Sequence, residues 1–367
     1  IIPQVNPDGS ERNQRRNLND ADLNRNHLIL TEPETAALHQ FFDRYLFEVT
    51  MDVHEYYPYS ESWLKYGYRK NSDVKVGTLT NINVSEKIRK FSDEQYLPYI
   101  FNYLGERGFS AFEYCPGGPP EEYYMRKSTF DINDGRQSLG IQNTLSFIQE
   151  GMNGEDNYVQ NIASRANGQM TGMMGLLVFV HQHSETIKGL VEAERVQLTE
   201  GRDREIVPVQ MEHTGQGEPM QLPVYATFSR SDSLITVADY RPVVKTLTTV
   251  SKPLGYLIPV RNVALTDWVS RSNITTGKID LNGPYLIEQY FIRQIDSIDF
   301  EGDIIIDPIV EAHPCEEALI AEDFIYVPTA QLKGNLIVEA LEPRSMLGLS
   351  TYPAFKELAK AGEEYPI

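Results

Sequence analysis

The sequence predicts an α/β domain followed by a β-rich domain, and three patterns indicate this order. Two strand-like segments lead into polar residues, at Asp52 to His54 and at Glu150. A helical pattern runs from residue 162 to 198. From about residue 203, short apolar segments alternate with turns, which is typical of an antiparallel sandwich or small barrel.

These patterns predict three parts of the chain. We expect the α/β domain over residues 1–200 and a β-rich accessory domain over 201–345. The remaining residues, 346–367, are expected to form a surface tail. No internal repeat is evident.

The first elements follow from local patterns. Residues 1–30 predict a short strand and then a polar loop rich in arginine and asparagine. Thr31 is expected to cap a helix, because Glu34 occupies the capping-box position and Pro33 is tolerated in a first turn. Phe47 to Val53 then alternates as a strand does.

The later elements are mostly short. Residues 58–140 are aromatic and irregular, and 144–148 predict a buried strand ending at Glu150. Six further segments are expected as strands of the second domain: Val207–Gln210, Val224–Phe228, Tyr256–Val260, Tyr285–Ile292, Ile304–Val310 and Asn335–Leu341.

Composition argues against several classes of function. The 367 residues are 41% hydrophobic and 23% charged, with a formal charge of −19 and a pI near 4.8. This acidity argues against nucleic-acid and anionic-membrane surfaces, which need basic patches. No apolar run approaches the roughly 18 residues of a membrane span. Two cysteines, Cys115 and Cys315, are expected to be unrelated thiols.

Three polar blocks stand out by their order along the chain. Asn6–Gly9 and Asp22–Asn26 come first, then Asp52–His54, then Glu150. Each block alone has an ordinary structural explanation, such as a hydrogen-bonded histidine or a solvated basic loop. Together, an arginine-rich loop, a histidine and a carboxylate at strand ends can bind an anion, a metal and an activated water.

With these blocks the sequence resembles the carboxypeptidase A type family of zinc metallopeptidases. The pattern NPDG…R…DLNRN is specific to that family. Lys252–Val260 (KPLGYLIPV) and Val327–Pro343 (VPTAQLKGNLIVEALEP) are similar to segments of its multi-domain subset. The resemblance extends from residue 1 to about 350 and is strongest in the first 55 residues.

The resemblance implies roles for individual residues. His54 corresponds to the third zinc ligand of the family. Asn24 and Arg25 correspond to the pair that binds the terminal carboxylate of the substrate, a task that suits a planar guanidinium.

The remaining catalytic roles are also implied by the resemblance. Glu150 corresponds to the general base that activates water. Arg15 corresponds to the arginine that stabilises the oxyanion, with the adjacent Arg16 as the alternative. The tyrosine that many members place over the substrate has no counterpart in residues 134–140, so that role is unassigned.

The zinc site is expected to be incomplete in this chain. The sequence opens at Ile1 without an initiator methionine or signal peptide, and we expect it to be truncated at the N-terminus. The family's H-x-x-E motif, which carries the other two zinc ligands, is expected upstream of residue 1, so His54 alone should bind zinc poorly. His313–Glu316 matches H-x-x-E by coincidence, and His181 and His183 point to different helix faces.

Two functions are therefore considered. The first is a zinc-dependent metallocarboxypeptidase, in its complete form, that hydrolyses C-terminal peptide bonds of peptides or proteins; amide bonds of cell-wall peptides are a variant. The alternative is a metal-free carboxypeptidase-like module that binds peptide C-termini without cleavage. We favour the interpretation that this chain is a fragment of an active enzyme over the interpretation that it is a binding module. The resemblance also implies a secreted or periplasmic location.

Overall fold

The computed structural model describes residues 1–156, 158–281, 283–300, 302–315 and 319–367. The α-helices are α1 (Pro7–Glu11), α2 (Pro33–Tyr45), α3 (Glu61–Leu64), α4 (Glu86–Phe91), α5 (Leu97–Gly105), α6 (Gly135–Gly140), α7 (Ile162–Gln182), α8 (Ser184–Thr199), α9 (Val263–Arg271) and α10 (Gly334–Leu341). Shorter helical turns, of which the second is a π-helix, occupy Leu23–Arg25, Ser92–Tyr96, Ala321–Asp323, Leu349–Thr351 and Pro353–Leu358.

The strands become longer and more frequent after α8. They are β1 (Val49–Tyr56), β2 (Tyr68–Lys70), β3 (Val74–Gly77), β4 (Ala111–Glu113), β5 (Met125–Arg126), β6 (Leu145–Met152), β7 (Ile206–Thr214), β8 (Met220–Ala226), β9 (Ser231–Val237), β10 (Tyr240–Arg241), β11 (Val243–Ser251), β12 (Gly255–Pro259), β13 (Glu288–Phe300), β14 (Asp303–Pro314) and β15 (Phe324–Pro328). The predicted mixed α/β fold with a β-rich C-terminal region is confirmed.

A mixed four-stranded sheet, in the order β1-β6-β3-β4, organises the first part of the chain. β1 and β6 run parallel, β6 and β3 antiparallel, and β3 and β4 parallel. Residues 145–149 of β6 are buried, as expected for a strand covered on both faces.

Helix α7 covers one face of this sheet at close range. Gln149 on β6 donates through Nε2 to the Gln169 carbonyl oxygen of α7, at 2.9 Å. A Cβ atom at Gly172 would lie 2.0 Å from Gln149 Oε1, so a larger residue there would displace the Gln149 amide. Because side chains alternate along a strand, Glu150 points to the opposite face.

The β-rich part is built from antiparallel pairs. β7 pairs with β11, β12 with β15, and β13 with β14. Strands after residue 200 also pair with earlier ones, since β8 lies beside β2 and β10 beside β5. The proposed boundary near residue 200 stays a prediction, and hydrogen-bonded strand pairs cross it.

The C-terminal region contributes to the main core. All eight residues of α10 are buried, and α10 contacts β7. Residues 346–367, expected as a surface tail, bury large side chains that include Phe355 and Tyr365. No helix among the described residues is long and apolar enough to cross a membrane.

Three local predictions are wrong. Asn335–Leu341 is helical, because a short apolar run that is buried all round has the same composition in a strand and in a helix. The strand expected near the N-terminus is absent from the described residues, and Pro7–Glu11 forms a helix capped by Asn6. Thr31 does not cap α2, since its Oγ1 accepts a hydrogen bond from Asn26 Nδ2 at 2.7 Å.

Candidate active site

A histidine and a glutamate lie side by side on the sheet face opposite α7. The register of β1 and β6 pairs His54 with Glu150, so both side chains point to the same face. Both are partly exposed; the His54 side chain is 23% accessible. Sequence reasoning expected each at a strand end, and each lies two residues before the last residue of its strand.

Asp52 orients the imidazole of His54. Asp52 Oδ2 lies 2.7 Å from His54 Nε2, which leaves Nδ1 on the other side of the ring. Burial favours neutral His54, but the charges of Asp52 and Glu150 outweigh it and raise the pKa of His54. Burial likewise opposes ionisation of Asp52, yet its contact with His54 prevails and lowers the pKa of Asp52.

The Asp22–Asn26 block is held by its own side chains. Asp22 caps the Leu23–Arg25 turn by accepting from the Asn24 backbone N–H at 3.0 Å. Arg15 Nε donates to the same carboxylate at 2.8 Å, which ties the arginine loop to the block.

Arg15 and Arg16 differ in what they contact. Arg16 Nη1 donates to the Asp20 carbonyl oxygen at 2.6 Å, within its own loop. Arg15, whose side chain is 58% exposed, lies near enough for its charge to oppose the protonation of His54. Of these two arginines, Arg15 is the one whose charge acts on His54.

Asn24 links this block to the sheet through the start of α6. Asn24 Oδ1 accepts from the Gly135 backbone N–H at 2.9 Å. A Cβ atom at Gly135 would lie 3.1 Å from the His27 ring and 3.2 Å from Asp52 Oδ2, so the residue there must be small. Arg25 is exposed, and its Nη1 donates to the Asn24 carbonyl oxygen at 2.8 Å.

The structure adds charged residues that sequence reasoning missed. Lys75 on β3 lies directly opposite Glu150 and extends the His54–Glu150 row. Arg136 is buried in α6, where it donates to Asp134 Oδ2 at 3.0 Å.

His27, also missed, belongs to a buried histidine pair behind the site. His27 Nδ1 lies 3.0 Å from His39 Nε2. Burial lowers the pKa of both imidazoles, so the pair favours its neutral form. Ser138 Oγ lies 3.2 Å from His39 Nε2 and extends the network to α6.

The donor set does not fit a complete zinc site. Catalytic zinc takes three protein ligands and a water. Among the described residues, no three histidine, cysteine, aspartate or glutamate side chains converge as metal ligands. At the alternative motif, His313 Nε2 lies 3.3 Å from Glu364 Oε1, and Glu316 is outside the described residues.

Comparison with known proteins identifies fungal relatives. Over 385 aligned residues, the whole chain is 21% identical to Carboxypeptidase 2 of Trichophyton equinum and covers 68% of that protein. The values for Carboxypeptidase 2 of Trichophyton rubrum are 21% over 380 residues, again covering 68% of it. No protein-family model and no solved structure matches the chain. The relatives support a carboxypeptidase family for this chain.

Proposed function

We propose that this protein is a peptidase that acts at the free C-terminus of a peptide, with Glu150 as its general base. The observation that supports this most is the register of β1 and β6, which sets Glu150 beside His54 on the face away from α7. The names of the relatives agree with a peptide substrate.

Asn24 and Arg25 bind the terminal carboxylate in this proposal. The Gly135 N–H fixes Oδ1 of Asn24 as an acceptor, so the Nδ2 hydrogens are available to a ligand. Arg25 Nη1 donates to the backbone carbonyl oxygen of Asn24, which keeps the exposed guanidinium near that residue. A guanidinium and an amide together supply enough N–H donors for both carboxylate oxygens.

Glu150 and Arg15 handle the proton and the developing charge. The Glu150 carboxylate takes a proton from the attacking water and returns it to the amine that leaves. The Arg15 guanidinium, held by Asp22, adds positive charge beside His54, where the oxyanion develops.

We also propose His54 as a zinc ligand, oriented by its contact with Asp52. Zinc in such a site supplies Lewis acidity and a more acidic water. Because the described residues do not complete its ligand set, every step above is assigned to side chains of this chain.

The test compares matched peptides that end in a free carboxylate or an amide. Arg25→Ala is expected to weaken binding of the free-carboxylate peptide roughly tenfold or more, because a charge-assisted hydrogen bond is lost. Binding of the amide should barely change. Arg12→Ala is the matched control, since Arg12 is exposed in the same region of the chain.

Glu150→Gln separates binding from turnover. This variant is expected to keep peptide binding and lose hydrolysis, whereas the exposed control Glu192→Gln keeps both. An unchanged preference for free carboxylates in Arg25→Ala contradicts the carboxylate assignment. Selective binding by the unaltered protein without turnover would favour a module that binds peptide C-termini.

A further inference from the structure

Two lysines lie near the proposed base; Lys75 is buried, and Lys70 is partly exposed. Lys75 is 4% exposed and sits on β3 directly across from Glu150. Lys70 is the last residue of β2, and its charge opposes a positive charge on Lys75. Both therefore belong to one local cluster, which we name the lysine pair.

Aromatic rings are the partners of the lysine pair. Lys75 Nζ lies 3.3 Å from the centroid of the Tyr56 ring, and Lys70 Nζ lies 4.5 Å from that of Trp63. Within the part of the chain that the structure describes, neither ammonium forms an ion pair or a hydrogen bond. A ring face attracts an ammonium group but carries no net negative charge to neutralise it.

Two other lysines with buried side chains form ion pairs. Lys252 and Lys333 have side chains only 5% and 7% exposed, and each meets a carboxylate at 2.6 Å, from Asp203 and Asp43 respectively. Burying an ammonium without a counter-charge is unfavourable. The lysine pair therefore differs from Lys252 and Lys333, because neither of its members forms an ion pair with a carboxylate.

The electrostatics of the two lysines favour binding of an anion beside them. Burial lowers the pKa of Lys70 to about 8, and it lowers that of Lys75 well below its ordinary range. Glu150 opposes both shifts without forming an ion pair. An anion bound between the two nitrogens would favour their charged forms.

We propose that Lys70 and Lys75 form a subsite for the carboxylate side chain of the substrate's C-terminal residue, which gives the protein a preference for terminal aspartate or glutamate. This inference rests on the proposed function. The strand order β1-β6-β3 places Lys75 on the far side of Glu150 from His54. Neighbouring strands are about 4.8 Å apart, so a terminal residue next to Glu150 can extend its side chain to β3.

The experiment uses the full chain and three otherwise identical peptides. They end in glutamate, in glutamine, and in glutamate with an amidated terminus, and binding is measured by calorimetry. We expect the glutamate peptide to bind roughly tenfold or more tightly than the glutamine peptide, as a buried charge-assisted contact implies. Equal binding of these two, with the amidated peptide weaker, overturns the lysine subsite and leaves the proposed function standing.

Two variants locate the effect. Lys75→Met and Lys70→Met are each expected to reduce the glutamate preference severalfold while binding of the glutamine peptide is kept. Lys90→Met, at an exposed lysine on α4, is the matched control and should retain the full preference. A full preference in both site variants overturns the proposal.

A folding control and a comparison of peptides distinguish failure of the lysine subsite from failure of the proposed function. Thermal unfolding of each variant checks that it is folded. If Lys75→Met does not fold, the glutamate preference of Lys70→Met tests the subsite. If the amidated and free glutamate peptides bind equally, the proposed function itself fails, whatever the lysine variants show.

Discussion

The pH dependence of stability is expected to change when Glu339 is replaced by glutamine. Glu339 lies on α10 and is 1% exposed. Its oxygens accept from Asn83 Nδ2 at 2.6 Å and from Asn81 Nδ2 at 3.3 Å, which joins α10 to the segment after β3. Burial outweighs these contacts and raises the pKa of Glu339 from 4.5 to about 7.

The sign and size of the effect follow by linkage. Between pH 4.5 and 7 the folded state holds a proton on Glu339 that the unfolded state has lost, so stability falls as pH rises through this window. At roughly 1.4 kcal/mol per pH unit, the ionised carboxylate costs about 3 kcal/mol above pH 7. Glutamine stays neutral and removes this slope.

Urea unfolding at pH 5 and pH 8 measures the effect. From pH 5 to pH 8, the unfolding free energy of Glu339→Gln relative to the unaltered protein should increase by about 2.5 kcal/mol. This comparison cancels any constant loss from placing an amide next to Asn81. The exposed Glu192→Gln should show no such change. A difference independent of pH would refute the reasoning, because Glu339 would then be ionised in the folded protein throughout.

Two other predictions concern the metal and the thiols. Dialysed protein is expected to retain less than one tightly bound zinc, because His54 lacks two companion ligands among the described residues; one full equivalent by elemental analysis would contradict this. A thiol reagent should modify Cys315 well before Cys115, since Cys115 is buried and burial raises the pKa of its thiol to about 12; equal rates would contradict that difference.

Local patterns predicted the strands that support the site because strand signals are strong there. Phe47–Val53 and residues 144–148 lie largely within β1 and β6, and the helical pattern of 162–198 appears as α7 and α8. The break between those helices at His183 was not foreseen. Composition also predicted two separate thiols, and no disulfide joins Cys115 and Cys315.

What the sequence determined by itself is the identity and order of the blocks: the Asp22–Asn26 loop, Asp52–His54 and Glu150, each recognisable from neighbours in the chain. Only the tertiary structure decided which of them meet. Strand register put His54 beside Glu150, and one backbone hydrogen bond from Gly135 attached Asn24 to the same site. Register and burial depend on partners a hundred residues away, which no local pattern encodes.

The role of Lys75 also could not be predicted from local sequence. Its sequence neighbours indicate only a strand, whereas its position across from Glu150 and its burial without a carboxylate come from the pairing of β3 with β6. A charge is tolerated inside a protein according to what surrounds it in space. The chain therefore specified a lysine in a strand, and the fold made it a candidate for substrate recognition.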